Sequence, residues 1–222
     1  KSFITGNVVQ AEVVGFQNET ILLMPFTEAT GIGPGSSVEI ISNDATAKVS
    51  HNLLGRVIDA SGDPLDGKEK PFCNEEVSLR GIPINPMERT SIESILDVGV
   101  KAINSFLTIG KGQRIGLIAG SGVGKSSLMG MLTRFTEADV VVIGLIGERG
   151  REVQEFIKES LGKEGLKKSV VIAAPANISP VLRIRATYLT HSIAEYFRNQ
   201  GKSVLMMVDS LTRVAHAQRE IG

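Results

Sequence analysis

The sequence has few residues of the kinds that build disulfides and cysteine–histidine metal clusters. Its 222 residues include one cysteine, Cys73, three histidines and no tryptophan. A single cysteine cannot form an internal disulfide, and the scattered histidines offer no set of metal ligands beside it. We therefore expect a protein of a reducing, cytoplasmic environment without a cysteine–histidine metal centre.

An excess of charge of one sign is also missing. The sequence has 24 basic and 24 acidic residues and a formal net charge of +0. It therefore lacks the positive field that gathers nucleic acid or an anionic membrane surface. No apolar run approaches the roughly 20 residues of a transmembrane helix, and no charged-then-apolar leader precedes the first predicted strand. We expect proteins and small anionic ligands as partners, no nucleic acid, and only indirect contact with a membrane.

The first 90 residues divide by composition into two parts. Residues 1–50 hold short β-type runs at 7–14 and 20–24 with a turn at 15–18, a pattern typical of a small β-barrel or sheet. Residues 51–90 are rich in glycine, proline and aspartate, which favours tight turns over regular structure. We predict a β-rich module at 1–50 and a turn-rich connector at 51–90.

Residues 91–222 have the pattern of an α/β domain. Apolar residues between 92 and 107 recur at helical spacing and predict one core-packing helix. Buried strands are predicted at 115–119, 140–146, 169–174 and 204–208, alternating with helices at 125–132, 152–161, 180–198 and from about 211. This alternation is typical of a parallel sheet. In the long helix one apolar face is predicted to join the core, namely Leu182, Ala186, Leu189, Ile193 and Phe197.

The most informative stretch is glycine-rich and lies between a predicted strand and a predicted helix. Residues 119–127 are Ala, Gly, Ser, Gly, Val, Gly, Lys, Ser and Ser. The glycines let successive N–H groups face one point at the helix N-terminus, which suits a β-phosphate, although Ala119 stands where the general pattern has glycine. The alternative is a glycine-rich surface turn. The predicted nucleotide-binding residues are Gly120, Ser121, Gly122, Val123, Gly124, Lys125, Ser126 and Ser127.

Chemistry can be assigned to several of these positions and to the turn after residue 146. Lys125 can reach β- and γ-phosphate oxygens, and the Ser126 hydroxyl can coordinate a magnesium ion that bridges them. Glu148 follows directly after a strand, at the edge where open α/β sheets bind ligands, and can polarise the water that attacks a γ-phosphate. Arg149 or Arg151 can hold this carboxylate or touch phosphate. The alternative is a charged turn that begins a solvent-facing helix.

A third candidate is Asp209, at the end of the apolar run 204–208. A carboxylate at the carboxyl tip of a buried strand can bind magnesium or its waters, which makes Ser126 and Asp209 the predicted metal ligands. Asp209 could instead cap the helix that begins near Leu211. Arg213 lies in that helix, either on a solvated face or facing a neighbouring subunit.

Together these motifs resemble the type III export ATPases, and the flagellar branch of that family most closely. The relatives of this family are the catalytic subunits of rotary ATP synthases. The similar stretches cover essentially the whole chain and lie at 55–59, 64–67, 86–89, 112–127, 147–153, 194–198 and 209–220.

The resemblance implies a RecA-like P-loop domain preceded by a small β-barrel and followed, beyond residue 222, by a helical domain. It implies a hexameric ring with ATP sites between subunits. It assigns phosphate and magnesium binding to Lys125 and Ser126, catalysis to Glu148 with support from Arg149, and the second magnesium element to Asp209. An arginine finger supplied in trans and the residues that pack on adenine are expected beyond residue 222.

The function implied is ATP hydrolysis, with ATP and Mg²⁺, that releases or unfolds export substrates from their chaperones. The expected place is the cytoplasmic face of the inner-membrane export apparatus, and the expected partners include chaperones, substrates and a regulatory or stator protein. Flagellar and virulence export both stay open. The alternatives are a catalytic subunit of an ion-coupled rotary ATP synthase, a non-catalytic ring subunit, which should lack Glu148, and a nucleic-acid motor, which the balanced charge disfavours.

Overall fold

The computed structural model describes residues 6, 8–42, 45–81, 83–120 and 122–222. The strands are β1 (Ala11–Gln17), β2 (Thr20–Pro25), β3 (Thr46–Val49), β4 (Arg56–Ile58), β5 (Glu75–Ser78), β6 (Val140–Ile146), β7 (Ser169–Ala174) and β8 (Val204–Asp209). The α-helices are α1 (Lys101–Phe106), α2 (Lys125–Phe135), α3 (Gly150–Glu155), α4 (Gly162–Lys167), α5 (Pro180–Asn199) and α6 (Leu211–Ile221). A π-helix, Phe156–Leu161, joins α3 to α4.

The centre of the molecule is a parallel four-stranded sheet in the order β4-β7-β6-β8. Every residue of β6 is buried, as expected for an inner strand covered on both faces. The predicted parallel sheet is confirmed, and β6 and β7 have the predicted bounds. In the register of β6 with β8, Leu145 lies opposite Asp209.

Two layers of helices cover the sheet, one on each face. Alternate side chains of β6 point to opposite faces. Val142 and Ile146 join a buried cluster with α5, whereas Val141 and Ile143 join a second cluster with α2 and the π-helix. The fold is therefore a helix–sheet–helix sandwich whose two cores meet at β6.

The long helix α5 begins with Pro180, a residue that is pre-organised for the first helical turn. Ala186, Leu189, Ile193 and Phe197 are buried in the core, as predicted, and Leu182 packs partly buried against the same cluster. Neither α5 nor any other helix in the described ranges combines the length and apolarity that a membrane crossing needs.

Helix α5 also attaches the amino-terminal strands to the domain. The side chain of Ser179, just before α5, donates a hydrogen bond to the carbonyl oxygen of Pro25 at 3.1 Å. Within the helix, Arg185 donates to the carbonyl oxygen of Thr46 at 3.1 Å, and Ser192 donates to that of Ser78 at 2.9 Å. The division of the chain at residues 50 and 90 stays a prediction. The predicted connector nevertheless contributes β4 to the edge of the central sheet, which its turn-rich composition did not indicate.

The predicted strand at 115–119 is wrong. Residues 111–120 are exposed and form no strand, and Ile118 is 99% exposed. Among the described residues β8 pairs with β6 on one side, and no strand occupies its other edge. An apolar run becomes a strand only where a neighbour offers a hydrogen-bonding ladder, and the run itself does not reveal that neighbour.

Two other local predictions need correction. The helix predicted between residues 92 and 107 is reduced to α1, and Ile92 and Ile95 are exposed, because spacing alone did not show which side chains find a core. The predicted turn at 15–18 begins too early, since β1 continues to Gln17 with a bulge near Gly15, and the chain turns at Asn18 with φ 53°. Residue 7, the predicted start of this strand, lies outside the described residues.

An ion pair fastens β4 to the loop that follows it. Arg56 Nε donates to Asp66 Oδ2 at 2.6 Å, and Arg56 Nη2 donates to Asp66 Oδ1 at 3.0 Å. Both side chains are largely buried, at 12% and 10% exposure. The hydrogen bond from Arg56 lowers the pKa of Asp66 to about 2. The ionised carboxylate therefore stabilises the folded state.

We predict that Asp66→Asn lowers the free energy of unfolding at pH 7 by about 2 kcal/mol, the value that corresponds to the depressed pKa. A lowered carboxyl pKa contributes stability above its unfolded value, near 4, and this contribution is lost as the pH falls towards 2. Urea unfolding of both proteins between pH 7 and pH 2 measures it. Asp63→Asn, which removes an exposed partner of Lys70, is the control and should change stability little. An equal effect of both substitutions would contradict the prediction.

Candidate active site

The candidate site lies where β6 and β8 end. The chain leaves β6 into the α3–α4 segment, which packs on one face of the sheet, and leaves β8 into α6, which packs beside α5 on the other face. The connections thus diverge between β6 and β8, and open α/β sheets bind ligands in the crevice at this point. Glu148 follows β6 by two residues, and Asp209 is the last residue of β8.

Two glycines of the glycine-rich loop have backbone conformations that favour glycine. Gly122 and Gly124 have φ values of 77° and 95°, in the left-handed region that other residues rarely adopt. Helix α2 begins directly after Gly124, with Lys125 as its first residue. Gly120 has open space where a side chain would be, and Val123, Ser126 and Ser127 are exposed. Ser121 lies outside the described residues.

Lys125 is tied to the sheet by an ion pair with Asp209. The Lys125 ammonium donates a hydrogen bond to Asp209 Oδ1. Asp209 is 7% exposed, so its carboxylate needs such a partner. The capping alternative for Asp209 is wrong, because Ser210 occupies the N-cap of α6. The contact brings the first turn of α2, which also carries Ser126, to the carboxyl end of β8.

Glu148 and Glu152 form a carboxyl pair beside this contact. Burial, a hydrogen bond with Glu152 and the charge of Asp209 together raise the pKa of Glu148 to about 7, although the charge of Lys125 acts to lower it. The same hydrogen bond lowers the pKa of Glu152, which also accepts from the Arg149 N–H at 3.3 Å. Below pH 7 Glu148 is the donor of this pair. Above it, Glu148 is an ionised base in the site.

Of the two arginines predicted to hold the Glu148 carboxylate, Arg149 lies near enough to the carboxyl pair to help lower the pKa of Glu152, whereas Arg151 does not. Arg149 is exposed at the N-cap of α3, and Arg151 is turned away to pair with Glu155 at 2.7 Å. Arg213 instead packs against the turn before Glu148, since a Cβ on Gly147 would lie 2.6 Å from the Cβ of Arg213. Its charge helps to lower the pKa of Glu152.

Glu152 and Arg213 are therefore site residues to which the sequence analysis gave no role there. A usable signal was present for both. Each follows a recognised residue by four positions, Glu148 and Asp209 respectively, and each lies in the first turn of the helix that begins there. Residues at that spacing on a helix begin to share a face with the residue that precedes the helix.

The oxygen groups at the site fit a magnesium ion. The Asp209 carboxylate and the Ser126 hydroxyl are hard donors of the kind that Mg²⁺ prefers. In the part of the chain that the structure describes, no group of three or more His, Cys, Asp or Glu side chains could hold a metal alone. Magnesium suits this sparse set, because it retains several waters and shares its coordination with substrate phosphates.

We predict that Glu148 titrates in the nucleotide-free protein with an apparent pKa of about 7. Glu152→Gln removes a negative charge that raises this pKa and supplies an amide N–H that can donate to the ionised Glu148, so the titration should move to lower pH. Carbon-13 NMR of labelled glutamate carboxyl groups measures it. Glu155→Gln, on the same helix but paired with Arg151, is the matched control and should not move it. A Glu148 midpoint near 4.5 in the unmodified protein would contradict the proton-sharing pair.

The sequence matches two domains of one protein family. Residues 99–222 match the nucleotide-binding domain of the ATP synthase alpha/beta family, and residues 3–41 match its β-barrel domain. The predicted fold class, an α/β nucleotide domain after an amino-terminal β-barrel, is thereby confirmed. Strands β1 and β2 lie within the matched barrel region.

Curated relatives of this chain are named flagellum-specific ATP synthase or type 3 secretion system ATPase. The flagellum-specific ATP synthase of Bacillus subtilis is 56% identical over 218 residues, which cover 98% of this chain and 50% of the relative. The Salmonella typhimurium protein of the same name is 52% identical, covering 96% and 48%. The type 3 secretion system ATPase of Xanthomonas euvesicatoria is 47% identical, covering 98% and 49%. The chain thus spans about half the length of the relatives it matches.

Solved structures show the same similarity. The assembled ATPase EscN of the enteropathogenic E. coli type III secretion system is 40% identical, with a TM-score of 0.90 over 99% of this chain and 53% of EscN. EscN in complex with its central stalk EscO is 41% identical, with a TM-score of 0.89 over 96% and 52%. From its fold, its site and these matches, the chain belongs to the ATP synthase alpha/beta family.

Proposed function

We propose that the full-length protein is a magnesium-dependent ATPase that drives bacterial type III protein export, in its flagellar form. The observation that carries the proposal is the meeting of three groups at one end of the sheet. Lys125 contacts Asp209, and the carboxyl group of Glu148 lies in the field of both with a pKa of about 7. A cation for phosphate, an anion for a metal ion and a base near neutrality are the requirements of nucleotide hydrolysis.

The phosphates of ATP bind along the glycine-rich loop and the start of α2. Lys125 leaves Asp209 and turns to the β- and γ-phosphate oxygens, where it neutralises part of their charge. The open space around Gly120, Gly122 and Gly124 lets phosphate approach the backbone N–H groups closely. The residues proposed to bind nucleotide are Gly120, Ser121, Gly122, Val123, Gly124, Lys125, Ser126 and Ser127.

Ser126 and Asp209 are the residues that would hold magnesium. When bound, the ion would supply positive charge against the β- and γ-phosphates. The positive charge that Asp209 loses when Lys125 turns to the phosphates would be replaced by that of the magnesium ion. Asp209 is buried and loses Lys125 to the phosphates, so it needs another cation at the same moment.

Hydrolysis requires Glu148 in its ionised form. Glu148 orients a water molecule and accepts its proton as the water oxygen bonds to the γ-phosphorus. The bond from that phosphorus to the β,γ-bridging oxygen breaks, and ADP and phosphate leave. Arg149 and Arg213 flank the carboxyl pair and stabilise negative charge that develops there.

The export role is supported by the names and similarity of the relatives. Flagellar proteins at 56% and 52% identity rank above the virulence protein at 47%, which favours flagellar export. EscN was solved as an assembled ATPase and in complex with its central stalk EscO. By analogy we propose that this protein forms a hexameric ring with a stator or regulatory partner. Chaperones and export substrates are the further partners, at the cytoplasmic face of the inner-membrane apparatus. An arginine finger from the neighbouring subunit completes each site.

The rotary ATP synthase alternative is not favoured, because the relatives reported above are named for the flagellum or for type 3 secretion. The non-catalytic ring subunit is disfavoured by the presence of Glu148 and its pKa near neutrality.

We predict that Lys125→Ala and Glu148→Gln separate binding from hydrolysis. Loss of the Lys125 contact with phosphate should raise the Kd for Mg·ATP by about tenfold or more, whereas Glu148→Gln should keep it within about twofold and lower kcat by at least about 100-fold. Calorimetric binding and phosphate release by the full-length proteins measure the two effects. Glu155→Gln is the control for loss of a carboxylate. Equal loss of binding in both variants would remove the catalytic role from Glu148.

Export itself can be tested in the source bacterium. Replacing Glu148 by Gln in the chromosomal copy should abolish swimming and the appearance of flagellar proteins in the medium, while growth that depends on oxidative ATP synthesis continues. Immunoblots of the medium and growth on a non-fermentable carbon source measure both. Normal flagella with failed oxidative growth would instead support the rotary-synthase alternative.

A further inference from the structure

Helix α2 makes an unusually close contact with the helical segment that follows Glu148. Gly130, in the middle of α2, is buried against Ser160 of the π-helix. A Cβ built on Gly130 would lie 2.3 Å from the carbonyl oxygen of Ser160 and 2.7 Å from its carbonyl carbon. Here one backbone packs directly on another, and only glycine permits the approach.

Both partners of this contact lead directly into the active site. Gly130 lies five residues after Lys125, one and a half turns along the same helix. Ser160 lies twelve residues after Glu148, at the far end of a helical run that begins with α3. Helices are stiff over such distances, so a shift at the contact is transmitted to both of their amino-terminal ends.

Side chains around the contact keep the two segments in one arrangement. Met129 and Leu132 of α2 share a buried cluster with Phe156 and Leu161 of the π-helix, and Leu161 is fully buried. The π-helix adds a residue to its turn relative to an α-helix, and such insertions occur mostly where a local adjustment is required. Residues 115–119 form no strand beside this region, so packing on the π-helix is a main support of α2.

We propose that Gly130 is a positioning residue for catalysis. It sets the distance between the phosphate loop and Glu148 by allowing α2 to pack closely against the π-helix. This inference rests on the catalytic role proposed for Glu148. Gly130 touches neither nucleotide nor water. Its absent side chain lets the two helices approach until Glu148 reaches the phosphates that Lys125 holds.

Gly130→Ala tests the proposal. The added methyl group must displace the Ser160 backbone by about 1 Å to reach an ordinary contact distance, and misplacement of that size can lower a rate by up to about 100-fold. We expect kcat of the full-length protein to fall by about 10- to 100-fold, with the Kd for Mg·ATP unchanged within about twofold, because the phosphate loop itself is intact.

Met131→Ala is the matched control. Met131 follows Gly130 on α2, and its side chain is exposed. The substitution changes the same helix without adding an atom at the contact with Ser160, so kcat should stay within about twofold of the unmodified protein. Urea unfolding of both variants shows whether they are equally folded. If Gly130→Ala does not fold, Leu161→Val is the second variant. It loosens the packing between α2 and the π-helix and should give a smaller loss of kcat, again without a change in the Kd for Mg·ATP.

A double-mutant cycle shows whether Gly130 acts through Glu148. If it does, Gly130→Ala has no further effect on the residual single-turnover rate of Glu148→Gln. Additive losses would overturn the positioning role and leave the function of Glu148 standing. A fall in nucleotide affinity as large as the fall in kcat would also overturn it. Full activity in Glu148→Gln alone would identify a failure of the proposed function instead.

Discussion

The contact between Lys125 and Asp209 is the interaction on which the rest of the site depends. It joins a loop that follows no strand in the described part of the chain to the end of β8, a strand at the edge of the sheet. A buried carboxylate without a partner would cost several kcal/mol, so Asp209 holds the lysine until another cation replaces it. In the proposed mechanism, nucleotide binding is therefore an exchange of charged partners at Asp209 and not the filling of an open pocket.

Glu148 is tuned by the same pair. Asp209 raises its pKa and Lys125 lowers it, while burial and Glu152 bring the value to about 7. In the proposed mechanism, a movement of Lys125 towards phosphate therefore changes the electric field at the Glu148 carboxyl group. The distances within this group are set by packing farther away, where α2 rests on the π-helix through Gly130.

The parts of this arrangement that are local in sequence could be predicted, and those that depend on a distant neighbour could not. Glycines before Lys125 and carboxylates at strand ends are local patterns, and the bounds of β6 and β7 follow from uninterrupted apolar runs. The run at 115–119 looked equivalent, but a strand also needs a ladder partner, and none lies beside it among the described residues. Arg213 reaches the site only because α6 packs against Gly147, a contact between residues far apart in sequence.

The exchange of partners at Asp209 can be observed directly by determining the crystal structure of the full-length protein with Mg²⁺ and a non-hydrolysable ATP analogue. We expect the Lys125 ammonium to hydrogen-bond to the phosphates and the carboxylate of Asp209 to face the metal ion or its waters. A nucleotide bound with Lys125 still paired to Asp209, or bound away from the glycine-rich loop, would contradict it.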